Sequence, residues 1–372
     1  MAQDFDINVI GAGIAGASVA AHLAETRKVL VLDMEDRPGF HSTGRSAAAY
    51  EPNYGPAPIR ALTRAARDFY ENPPRGFATG PLVTPRETLF LAPSEQAAAF
   101  DRLMQEQQGM REITITSARA KYPLLRDGYA TRALLDPGTA DIDVDLLHQG
   151  YLRLLKSRGG SLACNAGVTA CTRSAGRWAA ETPAGTFRAP VLVDAAGAWG
   201  DRIAELAGAK PIGLQPKRRS MAVVAAPAGH DPMQWPLVGD AGETWYCKPQ
   251  SGKLLVSPAD ATPVDPHDAY ADDMRLAEGI DRFQQATMIE VTRVEHSWGG
   301  LRSFAPDGNP VCGYDPAIDG FFWLVGQGGY GIQTAPALSR LAAALVTDAP
   351  IPQDILAEGC DPAGLSPGRF HK

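Results

Sequence analysis

The feature that most limits what this chain can fold into is a glycine turn between an apolar strand and a helix near the N-terminus. Residues Ile7 to Ile10 form a short, largely apolar run that ends at Gly11-Ala12-Gly13-Ile14-Ala15-Gly16. Apolar residues then recur at Ile14, Ala17, Val19, Ala20 and Leu23, a helical spacing, and a second apolar run, Val29 to Leu32, ends at Asp33. Strand, G-x-G-x-x-G, helix, strand and acid within about 30 residues is the spacing of a dinucleotide-binding unit. Gly11 permits the tight turn, Gly13 lets backbone approach a pyrophosphate, and Gly16 lets the helix lie close to the strand. A pyrophosphate at this point meets free N–H groups, opened by Ile14 and Ala15, and the positive end of the helix dipole. Asp33, followed by Met34, can accept hydrogen bonds from ribose hydroxyls.

The turn alone leaves NAD and FAD open. The next segment of the chain favours FAD: His41-Ser42-Thr43-Gly44-Arg45-Ser46-Ala47-Ala48 is a small, polar, glycine-containing loop just after the ribose acid. Such a loop can wrap the pyrophosphate and ribityl chain from the far side, where NAD domains usually pass into a crossover helix. Two later segments read as returns to the same cofactor. Val191 to Val193 leads into Asp194-Ala195-Ala196-Gly197-Ala198-Trp199, with a helix expected over Asp201 to Leu206. Phe321 to Val325 leads into Gly326-Gln327-Gly328-Gly329-Tyr330-Gly331, with a helix expected from about Ile332 to Leu345 and Gln333 in its first turn. A glycine-rich turn into a helix presents N–H groups to an anion once more.

Between these visits the pattern changes. Alternating runs at Thr88 to Leu91, Met221 to Ala225 and Lys253 to Val256 predict strands, and Met274, Ala277, Ile280, Phe283 and Met288 predict one buried helix face. The expected fold is α/β: a Rossmann-type FAD-binding domain with an inserted mixed-sheet substrate domain. The cofactor domain is expected over residues 1–48, 140–213 and 302–372, and the substrate domain over 49–139 and 214–301. Ala259 to Pro266 reads as a loop.

Charge narrows the partners. With 42 acidic and 35 basic residues the net charge is −7, and no long cationic stretch would neutralise a phosphate backbone or anionic lipid. Nucleic acid and integral membrane contact are therefore not expected. Five cysteines without C-x-x-C spacing, an odd number, argue for reduced thiols in a cytoplasmic protein. The start of the chain has no secretory-signal pattern, and no apolar run approaches the ~20 residues of a membrane span.

Taken together, the N-terminal glycine turn, HSTGRSAA, VLVDAAGAW, GLQPKRRS, GLRSFAPDG and GQGGYGIQT resemble the D-amino-acid oxidase and glycine oxidase superfamily. They look most like the bacterial FAD-dependent D-arginine dehydrogenases, nearly end to end. The resemblance implies that Arg219 and Arg302 hold a substrate carboxylate, that Tyr246 caps it, and that Gly329 brings backbone to substrate and flavin. Tyr54 matches an active-site tyrosine, and Val168 the place where the adenosine end meets backbone. Guanidinium groups suit the first role, being always charged and matching a planar carboxylate with forked hydrogen bonds. Either arginine by itself would read as a surface or structural residue.

The sequence also departs from that pattern. Ala49 stands where the arginine-specific enzymes have a histidine, and Thr88 where they have the glutamate that recognises the side chain; Glu87 would point to the opposite face of a strand. Glu51 replaces a neutral residue and can compensate in part. The pocket is therefore expected to be roomier and less selective for guanidinium, with a bias towards cations from Glu51 that fades when its carboxyl is protonated. The flavin is expected to be noncovalent, since Arg302 occupies the position where covalent relatives carry a cysteine.

The reaction implied is oxidative deamination of a D-amino acid, with hydride passing from Cα to flavin N5 and hydrolysis of the imino acid to a 2-oxo acid and ammonia. Orientation supplies much of the catalysis, and no histidine falls on a catalytic position. The electron acceptor stays open between a quinone, a dye-like acceptor and O2. The rival readings are an oxidase of glycine, sarcosine or another secondary amine, a 2-hydroxy-acid dehydrogenase, and an electron-transfer flavoprotein without a small substrate.

Overall fold

The apolar run Ile7–Ile10 lies at the centre of a six-stranded sheet, with all four residues buried, as a strand covered on both faces must be. Its neighbours are Val29–Leu32 on one side and Val191–Asp194 on the other. Ser161–Ala163 extends the sheet beyond Val29–Leu32, and Phe321–Val325 beyond Val191–Asp194, all parallel. Val311–Tyr314 closes the far edge antiparallel to Phe321–Val325. The computed structural model describes residues 3–106 and 109–371.

Helices Ile14–Leu23, Val144–Ser157 and Gly331–Thr347 pack together over one face of this sheet. A four-stranded sheet, Gln3–Asp4, Gly185–Ala189, Arg177–Thr182 and Ala170–Ser174, and helix Gly200–Ala207 supply the residues that bury the other face. The chain leaves Ile7–Ile10 towards one neighbour and reaches the other only much later. Their carboxyl ends therefore diverge into a crevice, the topological switch point where open α/β sheets bind ligands.

The second large sheet has ten strands. Its long spine is the antiparallel pair Gln215–Val224 and Val294–Phe304. From there it runs through Lys253–Ser257, Tyr246–Gln250, Leu237–Asp240, Thr88–Ala92 and Arg132–Asp136 to Arg111–Ile113. Leu237–Asp240 pairs parallel with Thr88–Ala92, so the sheet is mixed, as expected. Gln327–Gly328, from the last glycine turn, adds to the edge of Val294–Phe304 and joins the two halves of the molecule. Ala49–Tyr50, Ala140–Ile142 and Val83–Pro85 form a small third sheet where the chain crosses between them.

The structure corrects two readings. Helix Asp273–Ala286 buries Leu276, Gly279, Phe283 and Ala286, whereas Met274 is exposed and Met288 lies beyond the helix end. The i, i+3, i+7 spacing from Leu276 fixes the buried face, and Met274 falls off it. After strand Ser161–Ala163, Asn165 turns the chain with φ 51°. The loop Ala259 to Pro266 contains a two-residue strand, Thr262–Pro263, paired to Gln215–Val224. The helices after the later turns run slightly longer than expected, Gly200–Ala207 and Gly331–Thr347. All five cysteines are free, and among the described residues no helix is long and apolar enough to cross a membrane.

Candidate active site

The glycine turn closes as its sequence requires. Gly11 has φ +98°, and a Cβ there would lie 2.5 Å from the Ala195 carbonyl at the end of the neighbouring strand. A Cβ on Gly16 would sit 1.8 Å from the Gly11 carbonyl, so helix and turn are in direct backbone contact. Gly13 is the N-cap of helix Ile14–Leu23 and supplies no side-chain cap. The Ile14 N–H is met by Thr43 Oγ1 at 2.9 Å, which ties the far-side loop to the helix end. Asp33 accepts the Ala12 N–H at 2.6 Å through one carboxylate oxygen and the Glu35 N–H at 2.9 Å through the other. Beneath the turn, the buried His148 donates from Nε2 to the Ala12 carbonyl at 2.9 Å and packs against Gly39. Burial lowers the His148 pKa, so the ring is a neutral donor.

One cavity of about 1020 Å³ runs from this turn into the mixed sheet. Gly11, Gly13, Ile14, Ala15, Asp33, Met34 and Val168 line one end, with His41, Ser42, Thr43, Arg45, Ser46, Ala47 and Ala48 along the loop. Ala196, Gly197, Trp199, Gly328, Gly329, Gly331, Ile332 and Gln333 complete the wall from the two later returns. Helix Gly331–Thr347 also has no side-chain cap, so two uncapped helix N-termini meet the same space. That suits a pyrophosphate and an electron-rich ring.

The loop is held from outside. Ser42 Oγ donates to the Leu301 carbonyl at 2.6 Å, and Trp298 Nε1 to the Arg45 carbonyl at 2.9 Å. The Arg45 guanidinium pairs with Asp268 and donates to the Ala269 and Gly299 carbonyls. His41 bonds Glu35 at 2.8 Å and packs on Trp199, with ring centres 4.6 Å apart. Arg45 and His41 thus line the cavity while their polar atoms pin the loop. Gly44 and Gly16 do not line it: each has backbone against the site a Cβ would occupy, Gly44 that of Gly39.

The two arginines converge because of sheet register. Lys217 pairs with Arg302 and Arg219 with Gly300, so Arg219 and Arg302 share one face of an antiparallel pair as diagonal neighbours. Arg219 donates through Nε to the Asp260 carbonyl at 2.7 Å, and its guanidinium lies 5.8 Å from the Tyr246 ring centre. The Arg302 guanidinium makes no hydrogen bond or ion pair with any described residue, and its Nε is buried without a partner. Burial and the neighbouring Arg219 lower its pKa from the usual arginine value. A buried, unpaired cation beside a second cation is costly on its own and is relieved by an anion. Gly329 packs against it: a Cβ there would lie 3.0 Å from Arg302 Nη1. Tyr54 and Tyr246 line the same space, while Tyr330 stands just behind, its ring 5.0 Å from that of Tyr54. Burial pushes the Tyr54 phenol well above its ordinary range, so at neutral pH it stays protonated and does not act as a base.

The remaining wall is formed by Ala49, Glu51, Phe90, Leu237, Gly239 and Glu243, among others. Thr88 is buried behind it and donates to Glu51 Oε1 at 3.3 Å. Glu87 lies just before strand Thr88–Ala92 and pairs with Lys121 at 2.5 Å. Burial, with Asp136 and Glu243 nearby, pushes the Glu51 carboxyl up to about 7. Glu243 sits in a turn with φ 52°, between strands Leu237–Asp240 and Tyr246–Gln250. Sequence reasoning missed it, together with Trp298, His148 and Asp260. None lies in a glycine-rich or cationic motif, and each matters through a contact with a distant segment.

The chain is 26% identical over 398 residues to FAD-dependent oxidoreductase domain-containing protein 1 of Bos taurus, covering 92% of this chain and 81% of that protein. It is 27% identical over 359 residues to glycine oxidase of Pseudomonas putida, covering 92% and 94%. The crystal structure of glycine oxidase from Geobacillus kaustophilus superposes with a TM-score of 0.83 over 98% of each chain, at 22% identity. The family of FAD dependent oxidoreductases designated DAO matches residues 6–345. With the match running from the central strand to the helix after the last glycine turn, the chain belongs to this family and is an FAD-dependent oxidoreductase.

Proposed function

We propose that this enzyme oxidises the Cα–N bond of a D-amino acid, releasing an imino acid that water converts to a 2-oxo acid and ammonia. The observation that carries the reading is the Arg219 and Arg302 pair, two guanidiniums on one face of the sheet with no acidic partner among the described residues. A free carboxylate supplies the missing charge, and forked N–H donors fix its plane. When bound, FAD supplies the two-electron acceptor for the hydride leaving Cα. The chain's own residues then have orienting tasks. Arg219 and Arg302 anchor the carboxylate, Tyr246 covers it, and Tyr54 donates a hydrogen bond near the reacting carbon. Gly329 lets backbone approach where any side chain would displace Arg302. Holding the substrate this way presents one face of Cα, and such positioning accounts for a large share of the rate. The D configuration rests on the likeness of the GLQPKRRS and GQGGYGIQT motifs to D-arginine dehydrogenases.

The division into a cofactor domain and a substrate domain fits this reading, with the cavity where they meet. Beyond the clamp, Ala49 and Thr88 leave room for a bulky side chain, and Glu51 and Glu243 give that end acidic character. The test is anaerobic mixing of the yellow protein with D- and L-amino acids, glycine, sarcosine, amines without a carboxylate and 2-hydroxy acids while flavin absorbance is followed. Bleaching by D-amino acids and not by their L forms is expected. Bleaching by amines without a carboxylate at equal rates, or by nothing in the panel, would remove the proposal.

A second reading, an oxidase of glycine or a secondary amine, is favoured by the identity to glycine oxidase, since the same clamp would hold glycine. Hydrogen peroxide produced with glycine or sarcosine, and little turnover of larger substrates, would select it. The same assay with quinone, dye and O2 identifies the electron acceptor.

A further inference from the structure

The strand that carries Arg219 is paired along its outer edge in two places with a gap between them. Ala222 to Val224 pair with Leu254 to Val256, and Lys217 and Arg218 with Thr262 and Pro263. Residues 257–261 leave the ladder opposite residues 219–221, so the Ser220 backbone loses its strand partner there. Such groups must be satisfied in another way inside a protein. Asp260, which is buried, accepts the Ser220 N–H at 2.6 Å through Oδ1 and the Ser220 hydroxyl at 3.0 Å through Oδ2. Ser257 Oγ donates to the Ser220 carbonyl at 2.8 Å. The excursion turns at Ala259, whose φ of 51° is in the left-handed region and which itself lines the cavity. The carbonyl of Asp260 then accepts Arg219 Nε at 2.7 Å.

We infer that Asp260 is a positioning residue that aims Arg219: its carboxylate grips the backbone of Ser220 while its carbonyl holds the Nε of Arg219, leaving the terminal fork of the guanidinium facing the cavity. An arginine has many rotamers, and the entropy of fixing one is otherwise lost when substrate binds. The neighbours show the alternative fates of cations on this strand. Arg218 is neutralised by Asp272, and Lys217 lies over the Phe304 ring. Only Arg219 is restrained through a single nitrogen by a neutral acceptor, which orients it without cancelling its charge.

This inference rests on the proposed carboxylate clamp, and a double-mutant cycle separates the two. The variants are Asp260→Ala, Asp260→Asn, Arg219→Met and Arg219→Met with Asp260→Ala, all as FAD-loaded protein. The readouts are KM and kcat for the best amino acid, the Kd of benzoate as a plain carboxylate from the flavin spectrum, the Kd of FAD, and Tm. Asp260→Ala should raise KM and the benzoate Kd by about five- to thirtyfold, the range expected from returning rotamer freedom to an arginine. Its FAD affinity should be unchanged. Asp260→Asn, which keeps an acceptor for the Ser220 N–H, should recover most of the loss. In the Arg219→Met background Asp260→Ala should add nothing. Additive effects there, or a fall in Tm with KM intact, would overturn the aiming role. Unchanged KM and benzoate binding in Arg219→Met alone would instead sink the clamp. If Asp260→Ala does not fold, Ser220→Ala, which removes one of the two carboxylate contacts, is put through the same cycle and must show the same non-additivity.

Discussion

Replacing Arg302 with methionine separates a functional cation from a structural one, because the two roles predict opposite changes in stability. The Arg302 guanidinium lies over the Phe304 ring but makes no hydrogen bond or ion pair with a described residue, its Nε is buried and unpaired, and Arg219 lies beside it. Leaving a buried donor unsatisfied costs about 1–3 kcal/mol, and the like charge adds to that. Methionine keeps much of the aliphatic stem and removes both penalties. The substrate-free protein should therefore be as stable as wild type or more so, by up to about 3 kcal/mol. Substrate binding should suffer in the other direction. A hydrogen bond to a charged group contributes about 1.5–3 kcal/mol, which is about 10- to 150-fold in kcat/KM for each bond to the carboxylate. The assay is steady-state turnover of the best amino acid with a dye acceptor, beside thermal unfolding followed by flavin release. Near-normal kcat/KM together with a Tm lowered by several degrees would refute the reasoning and make Arg302 a packing residue.

Glu51 keeps its proton up to about pH 7, against an ordinary 4.5, so folding takes up a proton in that window. Stability should fall as pH rises from about 4.5 to about 7 and level off above it, and unfolding curves of Glu51→Gln should lack this slope. The preference for D-lysine over D-methionine should rise as pH passes through about 7, where Glu51 ionises in the folded enzyme, and stay flat in Glu51→Gln; a preference for D-arginine over all apolar D-amino acids of more than about a hundredfold would contradict a broad pocket. Gly329→Ala should raise KM about tenfold or more by displacing Arg302, whose Nη1 lies 3.0 Å from the new Cβ, without loss of FAD; unchanged KM would show that the arginine moves aside freely. Acid or heat denaturation should release all yellow colour from the polypeptide, as expected from the motif resemblance that puts Arg302 at the position of the anchoring cysteine; retained colour would mean covalent flavin.

The cofactor half of the molecule was legible in the sequence because its constraints are local. Gly11, Gly13 and Gly16 act within one turn and the helix it opens, and the largely apolar Ile7–Ile10 and the apolar Phe321–Val325 announce themselves as buried strands. Periodicity served less well where a pattern was long and only partly buried, as with Met274 and Met288 around helix Asp273–Ala286. Arg219 and Arg302 became candidates through motif resemblance, since charge alone makes an arginine a surface residue. Their meeting depends on the register of two strands separated by some eighty residues of chain. Register is set by the whole sheet, and a slip of one residue between the two strands would put the two side chains on opposite faces, which no local spacing encodes. The same holds for Asp260, Trp298 and His148, whose partners Arg219, Arg45 and Ala12 lie far away in the chain. Sequence by itself determined that this chain builds a dinucleotide turn and returns to it, because backbone freedom and apolar burial are properties of neighbouring residues. Tertiary structure decided which cations stay unpaired and what surrounds Glu51, because charge and hydration depend on everything within a few ångströms, whatever its place in the chain.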